Sequence, residues 1–329
     1  MNDYKGVMVY GDVSASITRE LLGSGRSLAD ALQEELSVVL LGSGISGEAN
    51  ELIAYGADRV YVVDDPLLKV YQTDAYVAVM QRLCREFKPS ILLLGQTIIG
   101  KDLAPRLAFR LETGLTTDCS ELHIDPATKL LVQTRACYGG NARASIVCPT
   151  ARPQMTTVRP RTMSALPRDD SRAGTVIPVE AGILASMLRT KVLQRVEDEA
   201  AGMRLEDAPV VVSGGRGMGG AEGFKQLEEL AGILNGAVGA SRAACDAGHV
   251  AASRQIGLTG KIVAPKLYLA VGISGATQHM AGCSGAKLII AINNDPDANI
   301  FKEAHYGIVG DYREVLPAFI EMCRELIGS

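Results

Sequence analysis

Residues 6–10, 37–41, 59–63 and 90–94 are short runs of β-branched residues and Leu with little polar interruption. Between them, at 28–36, 46–55, 74–87 and 101–111, apolar positions recur every three to four residues, the spacing of an amphipathic helix. The 74–87 segment is the clearest, with Val77, Met80, Leu83, Cys84 and Phe87 on one face. Strands that read as unbroken apolar runs and alternate with helices belong to a parallel sheet covered on both faces. After Gly114 the rhythm changes to two-residue alternation, at 130–138 and 141–148, around Gly139-Gly140. Two glycines tolerate the positive φ angles of a tight turn, so this reads as a β-hairpin. Residues 155–158 add a further strand.

The pattern restarts at 209–213, followed by a glycine-rich stretch and a helix reaching Leu234. Strands at 237–240, 267–271, 288–292 and 307–309 and a closing helix complete a second α/β layer structure. A chain of 329 residues accommodates two domains of ~150 residues. The charged stretch 195–208 is the expected boundary and hinge, giving domains 1–200 and 201–329.

Composition sharpens this picture in three places. Lys and Arg total 33 against 37 Asp and Glu, with no basic block, so a nucleic-acid partner is not expected. Seven widely spaced Cys form no C-x-x-C pair, which argues against disulfides and metal cages. No apolar run approaches the ~20 residues of a membrane span and no leader pattern opens the chain, so the cytoplasm is expected. The 35 Gly exceed the usual ~7% and call for a use.

Gly215-Arg-Gly-Met-Gly-Gly220, between a strand and a helix, satisfies G-x-G-x-x-G in the setting that gives it meaning: backbone close to a pyrophosphate and free N–H groups at a helix start. The acidic residue that would hold an NAD ribose is replaced by Ser241-Arg242. If the second sheet is parallel, its strand ends share one edge and gather Arg216, Ser241, Arg242, Ser274, Gln278, His279, Asn293 and Asp311. Two other readings stay open. Gly272-Ile-Ser-Gly-Ala276 approaches a nucleophile elbow, and Ser274, Asp295 or Asp297, and His305 fall in serine-hydrolase order. A nucleotide-binding sensor is the other. In the first domain Asp118 and Arg135 read as structural or interface residues.

Val211-Val-Ser-Gly-Gly-Arg216, Gly239-Ala-Ser-Arg-Ala-Ala244, Gly257-Leu-Thr-Gly-Lys-Ile-Val-Ala-Pro265, Leu269-Ala-Val-Gly-Ile-Ser-Gly-Ala276 with Gln278-His279, and Ala291-Ile-Asn293, in that order, resemble the electron transfer flavoprotein alpha subunit. The resemblance implies an N-terminal nucleotide-binding-like α/β domain with a hairpin extension that contacts a beta subunit, and a C-terminal Rossmann-like domain that binds FAD. It assigns flavin contact to Arg216 and a guanidinium over the flavin ring to Arg242. Ser241 and the backbone of Ile256, Gly257, Leu258 and Thr259 are implied at phosphate and ribityl groups, Gln255 near the ribityl hydroxyls and the Thr259 hydroxyl near N5. Ser274, Gly275, Ala276, Thr277, Gln278 and His279 resemble the loop running from the pyrophosphate to the pyrimidine edge, where His279 would donate toward O2. Asn293, Asp311 and Tyr312 resemble adenosine-side contacts.

The resemblance also implies an electron carrier rather than a stand-alone enzyme, paired with a beta subunit and serving acyl-CoA dehydrogenases or other flavin dehydrogenases, as in fatty acid oxidation. Segments 113–119, 134–141 and 152–155 look more like alpha subunits that use NADH and bifurcate electrons, which adds ferredoxin, NADH and a quinone reductase as candidate partners. Ala136-Cys137 departs from the Pro-Ala of that group.

Overall fold

A computed structural model describes residues 3–12, 16–137, 142–194 and 203–328. The chain divides into two compact units, one running to residue 195 and the other continuing from 196.

In the first unit, β1 (Val7–Gly11), α1 (Ile17–Leu32), β2 (Leu36–Gly42), α2 (Ala49–Ala54), β3 (Arg59–Asp64), α3 (Thr73–Phe87), β4 (Ile91–Gly95) and α4 (Ile98–Arg110) alternate. They are followed by β5 (Leu115–Ile124), β6 (Leu131–Cys137), β7 (Ala142–Ile146), β8 (Gln154–Val158) and β9 (Thr175–Pro178). The sheet order is β7-β6-β5-β8-β4-β1-β2-β3-β9. β6 runs antiparallel to β5 and β7, and the remaining pairs are parallel. The strands of the expected hairpin therefore pair, while its Gly139-Gly140 turn lies outside the described residues. All five residues of β1 are buried. Met8 and Tyr10 pack with α3 and α4 through Val77, Met80 and Leu103. Val7 and Val9 pack with α1 and α2 through Leu21, Leu22 and Leu52. Burial on both faces is the reason these strands carry no polar alternation.

Two elements differ from the sequence pattern. The first helix starts at Ile17 rather than 28, and Leu36 opens β2. Its interior Gly23 is a poor helix former but a fitted one, because a Cβ there would strike the Ser164 carbonyl. The ten-residue β5 has no counterpart in the apolar pattern, since its sequence LTTDCSELHI is largely polar. It is held by a buried ion pair at a register shift. Asp118 takes a left-handed φ of 62°, and its N–H donates to Thr157 Oγ1 at 3.0 Å. Its carboxylate accepts two hydrogen bonds from Arg159, at 3.0 and 2.6 Å. Arg135 donates to Thr117 Oγ1 on the same strand at 2.9 Å.

The second unit contains β10 (Val210–Gly214), α5 (Ala221–Ile233), β11 (Ala237–Ala240), α6 (Arg242–Asp246), β12 (Leu267–Val271), α7 (Thr277–Met280), β13 (Leu288–Asn293), α8 (Ile300–Glu303), β14 (Tyr306–Val309) and α9 (Tyr312–Gly328). Its sheet, in the order β11-β10-β12-β13-β14, is parallel throughout. Leu205 and Ala208 are buried in this unit's core. The stretch that composition marks as a hinge thus does not extend to 208, and residues 195–202 lie outside the described residues.

The Asp118–Arg159 pair is 11% and 19% exposed, and removing one partner of such a pair strands a desolvated charge. Arg159→Ala should lower stability by about 3 kcal/mol, read from urea unfolding of the full chain. A loss below about 1 kcal/mol would mean that the pair behaves as a surface one.

Candidate functional site

In the second sheet β10 is flanked by β11 on one side and β12 on the other. The chain leaves β10 toward β11 and leaves β12 toward β13, so the loops after β10 and β12 diverge. Such a reversal opens a crevice beyond the C-terminal strand ends. Its walls meet backbone to backbone: Gly215 N–H donates to Val271 O at 2.8 Å and Gly217 N–H to Gly272 O at 3.3 Å. A Cβ on Gly215 would collide with the Gly272 carbonyl, so only glycine fits there. Gly219 and Gly220 then turn the chain with φ of 72° and 151°. α5 begins without a side-chain cap, leaving its first N–H groups and the positive end of its dipole for an anion.

Most residues picked out by sequence stand along this edge. Arg216 is exposed and has no ion-pair partner among the described residues. Arg242, 67% exposed, reaches among the described residues only Asp246 on its own short helix, at 3.3 Å. Ser241 caps that helix through Ala244 N–H. Gln255 bridges to the end of β11 at Ala240 and donates from Nε2 to Thr259 Oγ1 at 2.9 Å. The strap from Ile256 through Gly257 and Leu258 to Thr259 is tied to the β12 loop, where Leu258 N–H donates to Gln278 O at 2.8 Å. Ser274, Ala276, Thr277 and Gln278 are exposed on the rim, and Gly275 is packed beneath them against Ile300.

Four residues are also engaged by hydrogen bonds within the protein. Asn293 is buried, donating from Nδ2 to Ile273 O at 2.9 Å and accepting at Oδ1 from Asp295 N–H at 3.0 Å. The Tyr312 hydroxyl donates to Met218 O at 2.8 Å and so steadies the glycine loop. Asp311 accepts from Arg313 N–H at 2.9 Å. These three brace loops. His279 is 7% exposed, its Nδ1 lies 3.1 Å from Ile256 O and its Nε2 lies 2.8 Å from the Tyr268 hydroxyl. A carbonyl only accepts, so Nδ1 carries the proton and Nε2 accepts from Tyr268. Burial lowers the His279 pKa to about 4, keeping the ring neutral. With both nitrogens engaged inside the protein, the ring presents no donor to a pyrimidine edge in this arrangement.

The hydrolase reading fails on topology. Ser274 follows β12 at the C-terminal edge, whereas His305 precedes β14 and accepts at Nδ1 from Ile289 N–H at 3.0 Å, at the opposite edge. The strands' length separates them by roughly 15 Å. Tyr268 is the residue that sequence reasoning misses: it reads as one more apolar position inside Leu-Tyr-Leu-Ala-Val.

A doubly wound α/β unit with a glycine-walled crevice, an open helix start and two exposed guanidiniums is a dinucleotide-binding domain. Residues 204–284 match the electron transfer flavoprotein FAD-binding domain, and residues 11–184 match the electron transfer flavoprotein domain. The chain is 49% identical to an electron transfer flavoprotein subunit alpha of Thermoanaerobacterium thermosaccharolyticum, covering 99% of this chain and 100% of the relative. It is 47% identical to the corresponding subunit of Megasphaera elsdenii (99% and 98% covered) and 42% identical to that of Bacillus subtilis (98% of each). The chain belongs to the electron transfer flavoprotein alpha subunit family. Membership makes it an FAD-binding alpha subunit, the counterpart of a beta subunit.

The residues present fit that cofactor. Two guanidiniums suit a flavin ring that gains negative charge, an uncapped helix start suits a pyrophosphate, the hydroxyls and amides of Ser241, Gln255, Thr259, Ser274, Thr277 and Gln278 suit a polyol, and the glycine walls admit an extended ligand to the backbone. Among the described residues, no helix is long and apolar enough to cross a membrane.

Gly215→Ala should weaken FAD binding by at least about tenfold, ~1.4 kcal/mol, because one loop must move; retained affinity in a flavin fluorescence titration would show that the loops yield freely. His279 contributes to stability as a buried neutral base. Its folded pKa lies below the unfolded ~6.5, so that contribution is complete above pH 6.5 and is lost as pH falls to about 4. The loss is about 3 kcal/mol. His279→Gln should flatten this part of the acid limb in urea unfolding, and an unchanged limb would assign it to other groups.

Proposed function

We propose that this alpha subunit holds one FAD in the 215–279 crevice and, in a cytoplasmic heterodimer with its beta subunit, passes single electrons from flavin dehydrogenases, such as acyl-CoA dehydrogenases, to a downstream acceptor. Residues 1–200 meet the beta subunit and 201–329 carry the cofactor. The observation that most supports this is the gathering of Arg216, Arg242, Ser241, the 255–259 strap and the 274–278 rim along one parallel sheet edge.

FAD supplies the one-electron chemistry when bound. The chain's part is to bind it and to set its potential through nearby charge and hydrogen bonds. Arg242 is suited to the second task. Its bond to Asp246 is solvent-exposed and of little energetic value, so the guanidinium can turn to the flavin ring at small cost and favour negative charge there. Arg216, at the end of the glycine loop, contacts the flavin, and the open start of α5 serves the phosphates. Ser241 and Gln255 offer hydroxyl and amide partners for the phosphate and ribityl groups, the Thr259 hydroxyl is suited to N5, and Ser274, Thr277 and Gln278 line the course of the pyrophosphate. Asn293, Asp311 and Tyr312 support the adenosine side by fixing the loops that form it.

A second reading, reduction by NADH with bifurcation toward ferredoxin or a quinone reductase, is supported by segments 113–119, 134–141 and 152–155. Stopped-flow reduction of the reconstituted heterodimer by NADH decides it, since an oxidised flavin after mixing removes this reading.

The purified heterodimer should be yellow with bound flavin; a preparation that stays colourless after incubation with FAD refutes the proposal. Arg242→Ala should retain FAD but lower its first midpoint potential in a dithionite titration. Loss of ~1.4 kcal/mol of charge stabilisation corresponds to ~59 mV for one electron, and an unshifted potential would remove Arg242 from tuning.

A further inference from the structure

Beneath the crevice lies a polar group that the sheet's packing does not require. Tyr268 on β12 is fully buried, among the largest such side chains in the chain, and Ser213 on β10 and Cys283 after α7 are buried beside it. The Tyr268 hydroxyl donates to His279 Nε2 at 2.8 Å, and His279 Nδ1–H donates to Ile256 O at 3.1 Å. Cys283 Sγ lies 3.7 Å from His279 O. Burial raises the Tyr268 pKa well above its ordinary value and that of Cys283 to about 12. Tyrosine, thiol and imidazole all remain uncharged near pH 7.

The order of donors in this chain is forced. Ile256 O can only accept, so His279 has one tautomer, and the remaining lone pair can be met only by a donor, which Tyr268 supplies. Ile256 is the first residue of the strap. Its N–H donates to Ala240 O at 2.8 Å, so the residue is held from the β11 end by its amide and from His279 by its carbonyl. The chain beyond it also has little freedom, because Gly257 approaches Gly282 so closely that a Cβ on Gly282 would strike the Gly257 backbone. A Phe at 268 would fill the same volume. What the hydroxyl adds is direction, and one lost donor would leave Nε2 buried without a partner.

We propose that Tyr268 is a positioning residue for the flavin crevice: from inside the sheet it fixes the tautomer and orientation of His279, which through Ile256 O sets the place of the 256–259 strap. This rests on the reading that the crevice holds FAD. Tyr268 does not itself line the site, and its effect on the cofactor passes entirely through the ring of His279.

The test uses full-length alpha chain with ¹⁵N-labelled histidine, reconstituted with unlabelled beta subunit and FAD. The alpha chain has only four His, and His279→Gln identifies the resonance in question. At pH 7 the wild-type ring should show a protonated Nδ1 and a hydrogen-bonded, unprotonated Nε2. In Tyr268→Phe the Nε2 resonance should move toward that of an unbonded nitrogen, the FAD dissociation constant should rise about tenfold, as for one net hydrogen bond, and the flavin midpoint potential should shift. A protonated Nε2 in the wild type overturns the proposal whether or not the variant folds. So does a Tyr268→Phe heterodimer with wild-type FAD affinity and potential. A colourless wild-type heterodimer would instead overturn the flavin reading on which the proposal stands.

Discussion

The second unit depends on two loops touching without side chains between them. Where β10 and β12 end side by side, Gly215 and Gly217 hydrogen-bond to Val271 and Gly272, and a single Cβ on Gly215 would part the loops. Because the loops then run in opposite directions, the gap beyond them is bounded by main chain, and an extended ligand can reach N–H groups directly. The glycine surplus is the cost of that geometry. Met218, between the glycines, is buried in the core and anchors the loop, and its carbonyl is held from outside by Tyr312.

The site is consequently built in two layers with different physics. The rim consists of exposed groups with few obligations, Arg216, Arg242, Ser274, Thr277 and Gln278. They gain little from each other in water and are available to a ligand. The inner layer consists of buried groups whose side-chain polar atoms each have a partner, Asn293, His279 and Tyr268. There the low dielectric makes an unmet partner costly and a met one rigid. A motif taken from a binding-site family contains both kinds of residue side by side, because the rim is useful only at the spacing that the inner layer fixes.

The legibility of the chain divides along the same line. Strands β10 to β13 and the glycine loop are readable because burial on both faces and close backbone approach each force a residue type. Arg216, Ser241, Arg242 and the 255–259 and 274–278 segments are readable as polar residues at strand ends. Features that depend on a partner distant in sequence are not. Gly23 looks unsuited to a helix until Ser164 is known to lie against it. β5 looks like a loop until Arg159 neutralises Asp118. Ser274 and His305 look like a catalytic pair until the parallel register puts them at opposite edges of the sheet. Tyr268 carries no local mark at all, since its hydroxyl matters only in relation to an imidazole eleven residues on.

The first unit supplies an internal comparison. It too has a parallel sheet with a switch point, between β1 and β4, yet its edge is chemically the opposite. Asp12 follows β1, and Asp64 and Asp65 close β3. The N–H groups of Gly44 and Ile45 after β2 are already taken by Asp64, at 2.7 and 3.1 Å, and together with the Ser46 hydroxyl they lower its pKa. The start of α4 is occupied as well, because Thr97 Oγ1 accepts from Gly100 N–H at 3.1 Å. The β2 loop and the start of α4 thus satisfy their own donors, while α1, like α5, begins without a side-chain cap; what sets this edge against an anion is its carboxylates. In the second unit the start of α5 is uncapped as well, and the charges are guanidinium. A parallel switch point with an open helix start provides only a place; whether it favours an anion depends on the sign of the charges that the chain sets around it.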